Sequence, residues 1–239
     1  MSDANTELLV RMAGALGDLR ERLVFVGGCA TALFITDPAA APVRATQDVD
    51  AVVAIASQVE YLRLGEALRA RGFTQRLAEG DPPYRWSLGG MKLDVMPAKK
   101  DVLGFSNRWY DIALRTAVSI QLPEGPAIRL VTPACFLATK LEAFEDRGRG
   151  DYLESHDLED VLSVVDGRAE IVADVLQAEA AVRGYVTGVF TRLLADDGFL
   201  NALPGMVIDG SPATRIPVVI ERLRSITGQV ARKPGNPNR

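Results

Sequence analysis

A glycine pair and a spaced aspartate pair set the strongest constraint on how this chain folds. Gly27-Gly28 follows a short apolar run, Leu23-Val-Phe-Val26, and opens a helix-like segment, Cys29-Ala-Thr-Ala-Leu-Phe-Ile35. Further on, Thr46-Gln-Asp48-Val-Asp50 leads into a second apolar run, Val49 through Ile55. Side chains alternate faces along a strand, so Asp48 and Asp50 point the same way, roughly 6–7 Å apart along the backbone. Two carboxylates at that spacing offer the hard oxygen donors that a divalent cation prefers. The glycines remove side chains where a backbone approaches a phosphate, just ahead of a helix N-terminus that attracts anions. The combination describes a site for a nucleoside triphosphate and its metal.

A third acid fits the same picture. Gly89-Gly90 predicts a hairpin turn between Tyr84-Arg-Trp-Ser-Leu88 and Met91-Lys-Leu-Asp-Val-Met96. This places Asp94 in an apolar strand between Leu93 and Val95, where an unpaired buried carboxylate is costly. Asp94 either joins Asp48 and Asp50, if its strand lies beside theirs, or pairs with Lys92 or an arginine. Three carboxylates on one edge support a two-metal displacement at phosphorus, the metals stabilising the attacking and leaving oxygens.

Gly-Gly, a short helix, Asp-x-Asp on a strand and a third Asp on a later strand resemble the DNA polymerase β-type nucleotidyltransferases. Downstream, Thr132-Pro-Ala-Cys-Phe-Leu-Ala-Thr-Lys140-Leu-Glu-Ala-Phe precedes an Arg/Gly-rich bend and Ser155-His-Asp157-Leu-Glu-Asp160-Val-Leu. That pair of segments resembles the AbiEii-type nucleotidyltransferases, toxins of toxin–antitoxin and phage-defence systems. The resemblance spans residues 23–166. It implies an α+β fold: a polymerase β-like mixed sheet with flanking helices, followed by a C-terminal helical bundle. It also implies Mg²⁺ or Mn²⁺ held by Asp48, Asp50 and Asp94, and transfer of a nucleoside monophosphate from an NTP to an acceptor hydroxyl. The implied acceptor is an RNA end, such as the 3′ terminus of tRNA, or a protein, and a toxin of this kind has a cognate antitoxin. Two other readings stand beside it: a nucleotidyltransferase that modifies a small hydroxylated antibiotic, and a catalytically silent module that binds nucleotides or a partner.

The candidate nucleotide-binding residues are Gly27, Gly28, Arg44, Thr46, Lys140 and Asp157. Lys140 either brings its ammonium to the triphosphate or snorkels from an amphipathic helix. Asp157 and Asp160 lie one turn apart near a helix N-terminus, which the macrodipole favours by itself. In related toxins an aspartate here orients the helix lysine, and Asp157 matches that place better than Asp160. Arg44 and Thr46 either contact phosphates or close a turn. Tyr84 and Trp86 either stack on a base or pack in the core. His156, beside a Ser cap, reads as a capping-region or interface residue rather than a base.

Composition narrows the partners. The 239 residues are 48% hydrophobic and 24% charged, ordinary for a globular protein. A net charge of −4 argues against electrostatic coating of nucleic acid. It leaves room for one nucleic-acid end in a local basic cleft built from Arg44, Arg85, Lys92, Lys99, Lys100 and Lys140. There is no signal-peptide pattern and no apolar run long enough to span a bilayer, so a cytoplasmic protein without a membrane partner is expected. Cys29 and Cys135, each in an apolar helical context, read as core residues.

Hydrophobic spacing predicts an amphipathic helix over 5–22, with Leu8, Leu9, Met12, Leu16 and Leu19 inward. The Pro/Ala-rich stretch from Asp37 leads into the aspartate strand. A helix follows over 57–71 with Val59, Leu62, Leu64 and Leu68 inward, then strands near 73–78, 83–88 and 91–96. Segments near 111–121 and 127–131 read as edge strands. Thr132 then caps a helix with Pro133 at its first position. Helices are expected over 133–146, 155–165, 168–177, 178–195 and 212–229, with breaks at Pro204-Gly205 and Gly210-Ser-Pro212. The expected division is a catalytic core over 1–131, a helical domain over 132–230 and a polar, disordered tail over 231–239.

Overall fold

A computed structural model of the chain describes residues 3–76, 81–148, 151–207 and 212–229, with 212–214 as backbone only. The expected tail over 231–239 and the Gly210-Ser211 part of the second break lie outside the described residues. Helix α1 (Ala4–Leu16) starts at Asp3, whose carboxylate accepts from the Asn5 and Thr6 backbone N–H groups. The predicted helix to Arg22 is cut short: Gly17, at φ +53°, ends α1 and a 3-10 turn carries the chain over Gly17–Arg22.

Strands β1 (Leu23–Val26) and β2 (Asp48–Val53) pair antiparallel, and the 3-10 helix Gly28–Phe34 lies between them in sequence. All four residues of β1 are apolar and buried, as an interior strand requires. After α2 (Gln58–Arg69), strands β3 (Arg85–Leu88) and β4 (Met91–Pro97) form the expected hairpin. Gly89 and Gly90 both have positive φ, the conformation of a tight two-residue turn. Short α3 (Lys100–Leu103) and α4 (Tyr110–Thr116) precede β5 (Val118–Gln121) and β6 (Ala127–Leu130). The sheet order is β3-β4-β2-β1-β6-β5, with β2/β4 and β1/β6 parallel and the remaining pairs antiparallel.

Several expectations need correction. The segment near 111–121 is helix α4 before it is strand, with Tyr110 and Ala113 buried at helical spacing. β6 is no edge strand; it lies between β1 and β5. Of the strand expected near 73–78, the described part makes only an isolated bridge, Thr74 to Ser87, and residues 77–78 lie outside the described set. On α2 the inward face is Tyr61, Leu64, Gly65 and Leu68, whereas Val59 and Leu62 are exposed. Tyr61 takes the inward place because its hydroxyl donates to the Val95 carbonyl at 2.9 Å, which satisfies its polar end inside the core.

The second half is helical: α5 (Pro133–Arg147), α6 (His156–Gly167), α7 (Ile171–Gln177), α8 (Ala180–Leu194), α9 (Asp197–Met206) and α10 (Pro212–Thr227). Every α5 residue from Ala134 to Glu142 is buried, because α5 packs on α4, α6, α7 and α8. The break expected at Pro204-Gly205 is absent. Helix α9 runs through Pro204, and burial of Phe199, Leu203 and Met206 outweighs the hydrogen bond that proline removes. Both cysteines are free and buried.

Candidate active site

The register of β2 on β4 builds the site. Asp50 lies beside Asp94, and Asp48 lies beside Lys92 on the parallel neighbour. Residues paired across a sheet share a face, so three carboxylates emerge together at one sheet surface. Asp48, Asp50 and Asp94 line one cleft of about 1080 Å³ with Gly27, Gly28, Arg44, Thr46, Lys140 and Asp157. All nine residues singled out in the sequence therefore meet in one place.

The glycine pair makes room for carboxylates. A Cβ on Gly27 would lie 1.9 Å from Asp50 Oδ2, and Gly27 has φ +74°. A Cβ on Gly28 would come within 2.9 Å of Asp160 Oδ2 and of Thr46 Cγ2. Side chains at either position would displace Asp50 or Asp160, so packing alone accounts for both glycines.

Asp94 and Asp48 are joined by Arg85. From β3 its Nε donates to Asp94 Oδ1 at 2.7 Å, and its Nη2 donates to Asp94 Oδ2 at 2.6 Å and Asp48 Oδ2 at 2.9 Å. The hydrogen bond with Asp94 raises the Arg85 pKa further above its ordinary value. Asp50 has no hydrogen bond or ion pair among the described residues. Burial pushes its carboxyl up to about 7; Lys140 pulls it down, while Asp48 and Asp94 push it up.

Helices α5 and α6 supply the basic wall. Lys140 Nζ lies 3.1 Å from Asp157 Oδ1 and 2.7 Å from Asp160 Oδ2. Burial lowers the lysine's pKa, but Asp160 and Asp157 outweigh it and hold the ammonium charged. Both aspartates engage the lysine, and Asp160, the weaker match in sequence, is the closer. Burial also works against a charged Asp157, yet Arg147 and Lys140 keep its carboxyl below the ordinary range. Arg147 grips Asp157 with Nε at 2.8 Å and Nη2 at 3.1 Å. Arg44 Nε donates to Glu159 Oε2 at 3.1 Å, and its Nη2 lies 3.7 Å from Asp160 Oδ1.

Of the other candidates, Tyr84, Arg85 and His156 also line the cleft, whereas the rest do not. Lys92, Lys99 and Lys100 do not line the cleft, and Lys99 pairs with Asp111 on the surface. Trp86 is buried under α2, with the Arg69 guanidinium over its ring, so base stacking is closed to it. Tyr84 does line the cleft, edge-on to Phe105 at 5.0 Å. His156 is exposed, with Nδ1 3.2 Å from Glu159 Oε2.

Sequence reasoning missed two residues that shape the site. Arg147 sat in a stretch that read only as a helix stop. Asn5, 1% exposed on α1, donates through Nδ2 to the Arg44 carbonyl and accepts the Thr46 N–H, both at 2.8 Å. It pins the loop that delivers Arg44 and Thr46 to the aspartate strand, while the Thr46 hydroxyl closes back on the Asp48 carbonyl at 3.3 Å. Nothing in its helical context signals this, because the partner lies across the fold. Asn5→Ala leaves a buried carbonyl and amide unpaired, at a cost of about 1–3 kcal/mol. Urea unfolding should show a lower midpoint at an unchanged m-value.

The donor set suits a divalent cation in its chemistry: hard oxygens on adjacent strands, one of them the half-buried Asp50 carboxylate, which has no partner among the described residues. As the side chains stand, no three His, Cys, Asp or Glu residues among the described ones converge on a metal position, since Asp48 and Asp94 are turned onto Arg85.

No protein-family model matches the chain, and no curated protein matches it in sequence. Among solved structures it is similar to an antigenic nucleotidyltransferase-like protein from Paracoccidioides brasiliensis, with TM-score 0.50 and 20% identity over 84% of this chain and 94% of that one. A solution structure of the antibiotic-resistance factor ANT(2″)-Ia aligns with TM-score 0.43 and 15% identity, over 82% of this chain and 96% of that one. With its six-stranded mixed sheet and flanking helices, the chain has the fold of the polymerase β-like nucleotidyltransferases.

Proposed function

We propose that the chain is a metal-dependent nucleotidyltransferase that moves a nucleoside monophosphate from an NTP to an acceptor hydroxyl. The observation that carries this is the β2/β4 register, which sets Asp50 beside Asp94 and Asp48 one strand repeat away at the floor of a large cleft. Asp48, Asp50 and Asp94 would hold Mg²⁺ or Mn²⁺, which supplies charge stabilisation at the triphosphate and the reacting oxygens. Arg147 on α5 and Arg44 on the loop before β2, both partly exposed and paired to acids of α6, bind the phosphates. Lys140 is held by two aspartates, so it fixes that wall and adds its field to the site. The acceptor oxygen attacks the α-phosphorus in line, the α–β phosphoanhydride bond breaks, and pyrophosphate leaves. The hydroxyl proton passes to the carboxylate cluster.

The resemblance of the Lys140 and Asp157 segments to AbiEii-type toxins supports an RNA end such as tRNA, or a protein, as acceptor, with a cognate antitoxin as partner. A second reading, a small cationic hydroxylated molecule such as an antibiotic, is favoured by the exposed acids Asp146, Asp151 and Glu154 that also line the cleft. One experiment separates them: Mg²⁺, each α-³²P-labelled NTP in turn and total RNA, beside an Asp48→Ala/Asp50→Ala control. Label on an RNA band from the wild type alone supports the first acceptor class, and label on the protein itself supports protein modification. Metal-dependent pyrophosphate release only with an added small cationic hydroxylated antibiotic supports the second reading.

A further inference from the structure

We propose that Arg85 is a built-in counter-cation of the carboxylate cluster, displaced when a divalent cation binds and then free to pair with the nucleotide's phosphates. This rests on the metal-dependent reading above.

The geometry favours an exchangeable cation over a structural ion pair. Arg85 bridges carboxylates on two different strands, β4 and β2, and uses both oxygens of Asp94. Those are oxygens a metal on this cluster needs. The bridge is graded in depth: the Asp94 side chain is 6% exposed, whereas Arg85 and Asp48 are 32% and 35% exposed. Release therefore sends the guanidinium into the cleft, which Arg85 already lines, without opening the core. β3 is an edge strand, so the move needs only side-chain rotation.

Among the described residues no other cation holds this place. Lys140, Arg147 and Arg44 are all committed to the acids of α6. Arg85 alone among the described basic residues is ion-paired to the strand carboxylates. A site of three close carboxylates and no counter-charge is self-repelling, and a fork-shaped guanidinium relieves that repulsion at two of them. The relief is a cost that an incoming metal has to overcome. A triphosphate refunds it by offering the displaced guanidinium new acceptor oxygens, so metal and nucleotide bind with positive coupling.

Mn²⁺ binding, followed by electron paramagnetic resonance and calorimetry without nucleotide, tests this. Arg85→Gln should bind Mn²⁺ about fivefold more tightly than wild type, or about 1 kcal/mol. The tightening of Mn²⁺ binding by a non-hydrolysable NTP analogue should shrink in the same variant. Arg85→Lys keeps the charge but loses the fork and should fall between the two. Circular dichroism and melting of both variants show that they are folded, and Asp48→Ala/Asp50→Ala shows that the Mn²⁺ read is the one at this site. Equal or weaker Mn²⁺ binding by a folded Arg85→Gln, with wild type binding normally, overturns the counter-cation while leaving the metal-dependent reading intact. Absence of Mn²⁺ binding in wild type and variant alike overturns both.

Discussion

Asp50→Asn should lower nucleotidyl transfer by about 10³-fold or more, the scale expected when charge stabilisation is removed at a reacting phosphate. Of the three strand carboxylates Asp50 has the largest expected effect, because Asp48 and Asp94 share Arg85 and Asp50 has no ion-pair partner among the described residues. The substitution is nearly isosteric, and Gly27 leaves the space that the side chain fills. Loss of activity can therefore be separated from loss of fold. Burial raises the Asp50 carboxyl from 3.8 to about 7 in the folded chain. A raised folded value means that its stabilising contribution is complete below 3.8 and is lost as pH rises through 7. In chelator-treated protein the wild type should lose melting temperature relative to Asp50→Asn between about pH 4 and pH 7 and level off above. An Asp50→Asn protein that is folded and still fully active would instead mark the chain as one whose chemistry does not pass through these aspartates. Wild type and variant both inactive, with nucleotide still bound, would point to the silent module.

How much of this was readable in advance divides along physical lines. Period-two alternation puts Asp48 and Asp50 on one face whatever the neighbours are, and the two-residue Gly89-Gly90 turn fixes the β3/β4 pairing locally. Asp94 joining them depends on β4 adding parallel to β2, a pairing made across the intervening α2 and hairpin that no local pattern encodes. Arg85 follows from the same register: it faces Asp94 only because β3 and β4 pair as they do, and in sequence it was one basic residue among six. Apolarity favours Val59 and Leu62 over Tyr61 for the inward face of α2, yet only the tyrosine can both fill the core and bond Val95. The 111–121 segment carries enough Ile, Val and Leu to read as strand, and tertiary packing of Tyr110 and Ala113 decides for helix over its first half. Asn5 acts on a loop far away in sequence and Arg147 on Asp157 of the next helix, so composition and spacing are silent about both.

Lys140→Met should destabilise the fold by about 3–5 kcal/mol, the cost of leaving buried charges without their partner. For a chain of this length that is a fall in melting temperature of roughly 10 °C. Lys140 and Asp160 are both buried, and Asp160 has no second close cation: Arg44 reaches it only at 3.7 Å. Asp157 is better placed, because Arg147 still grips it from the surface side. The triple variant Lys140→Met/Asp157→Asn/Asp160→Asn removes the charges together and should recover most of the lost stability, since replacing a whole buried ion cluster costs far less than breaking it. Acid reports on the same cluster. Asp157 has a lowered carboxyl in the folded state, so its contribution is present above its ordinary value of 3.8 and is lost as pH falls through the folded value. Wild type should therefore show a stability loss below that pH that the triple variant lacks. Activity then separates two roles for the lysine. If Lys140 touches the triphosphate, the triple variant stays inactive at full stability, with weakened NTP binding. If Lys140 acts by holding α5 against α6, the triple variant regains NTP binding along with its fold, and Arg44, Arg147 and the released Arg85 are left as the cations that meet the phosphates.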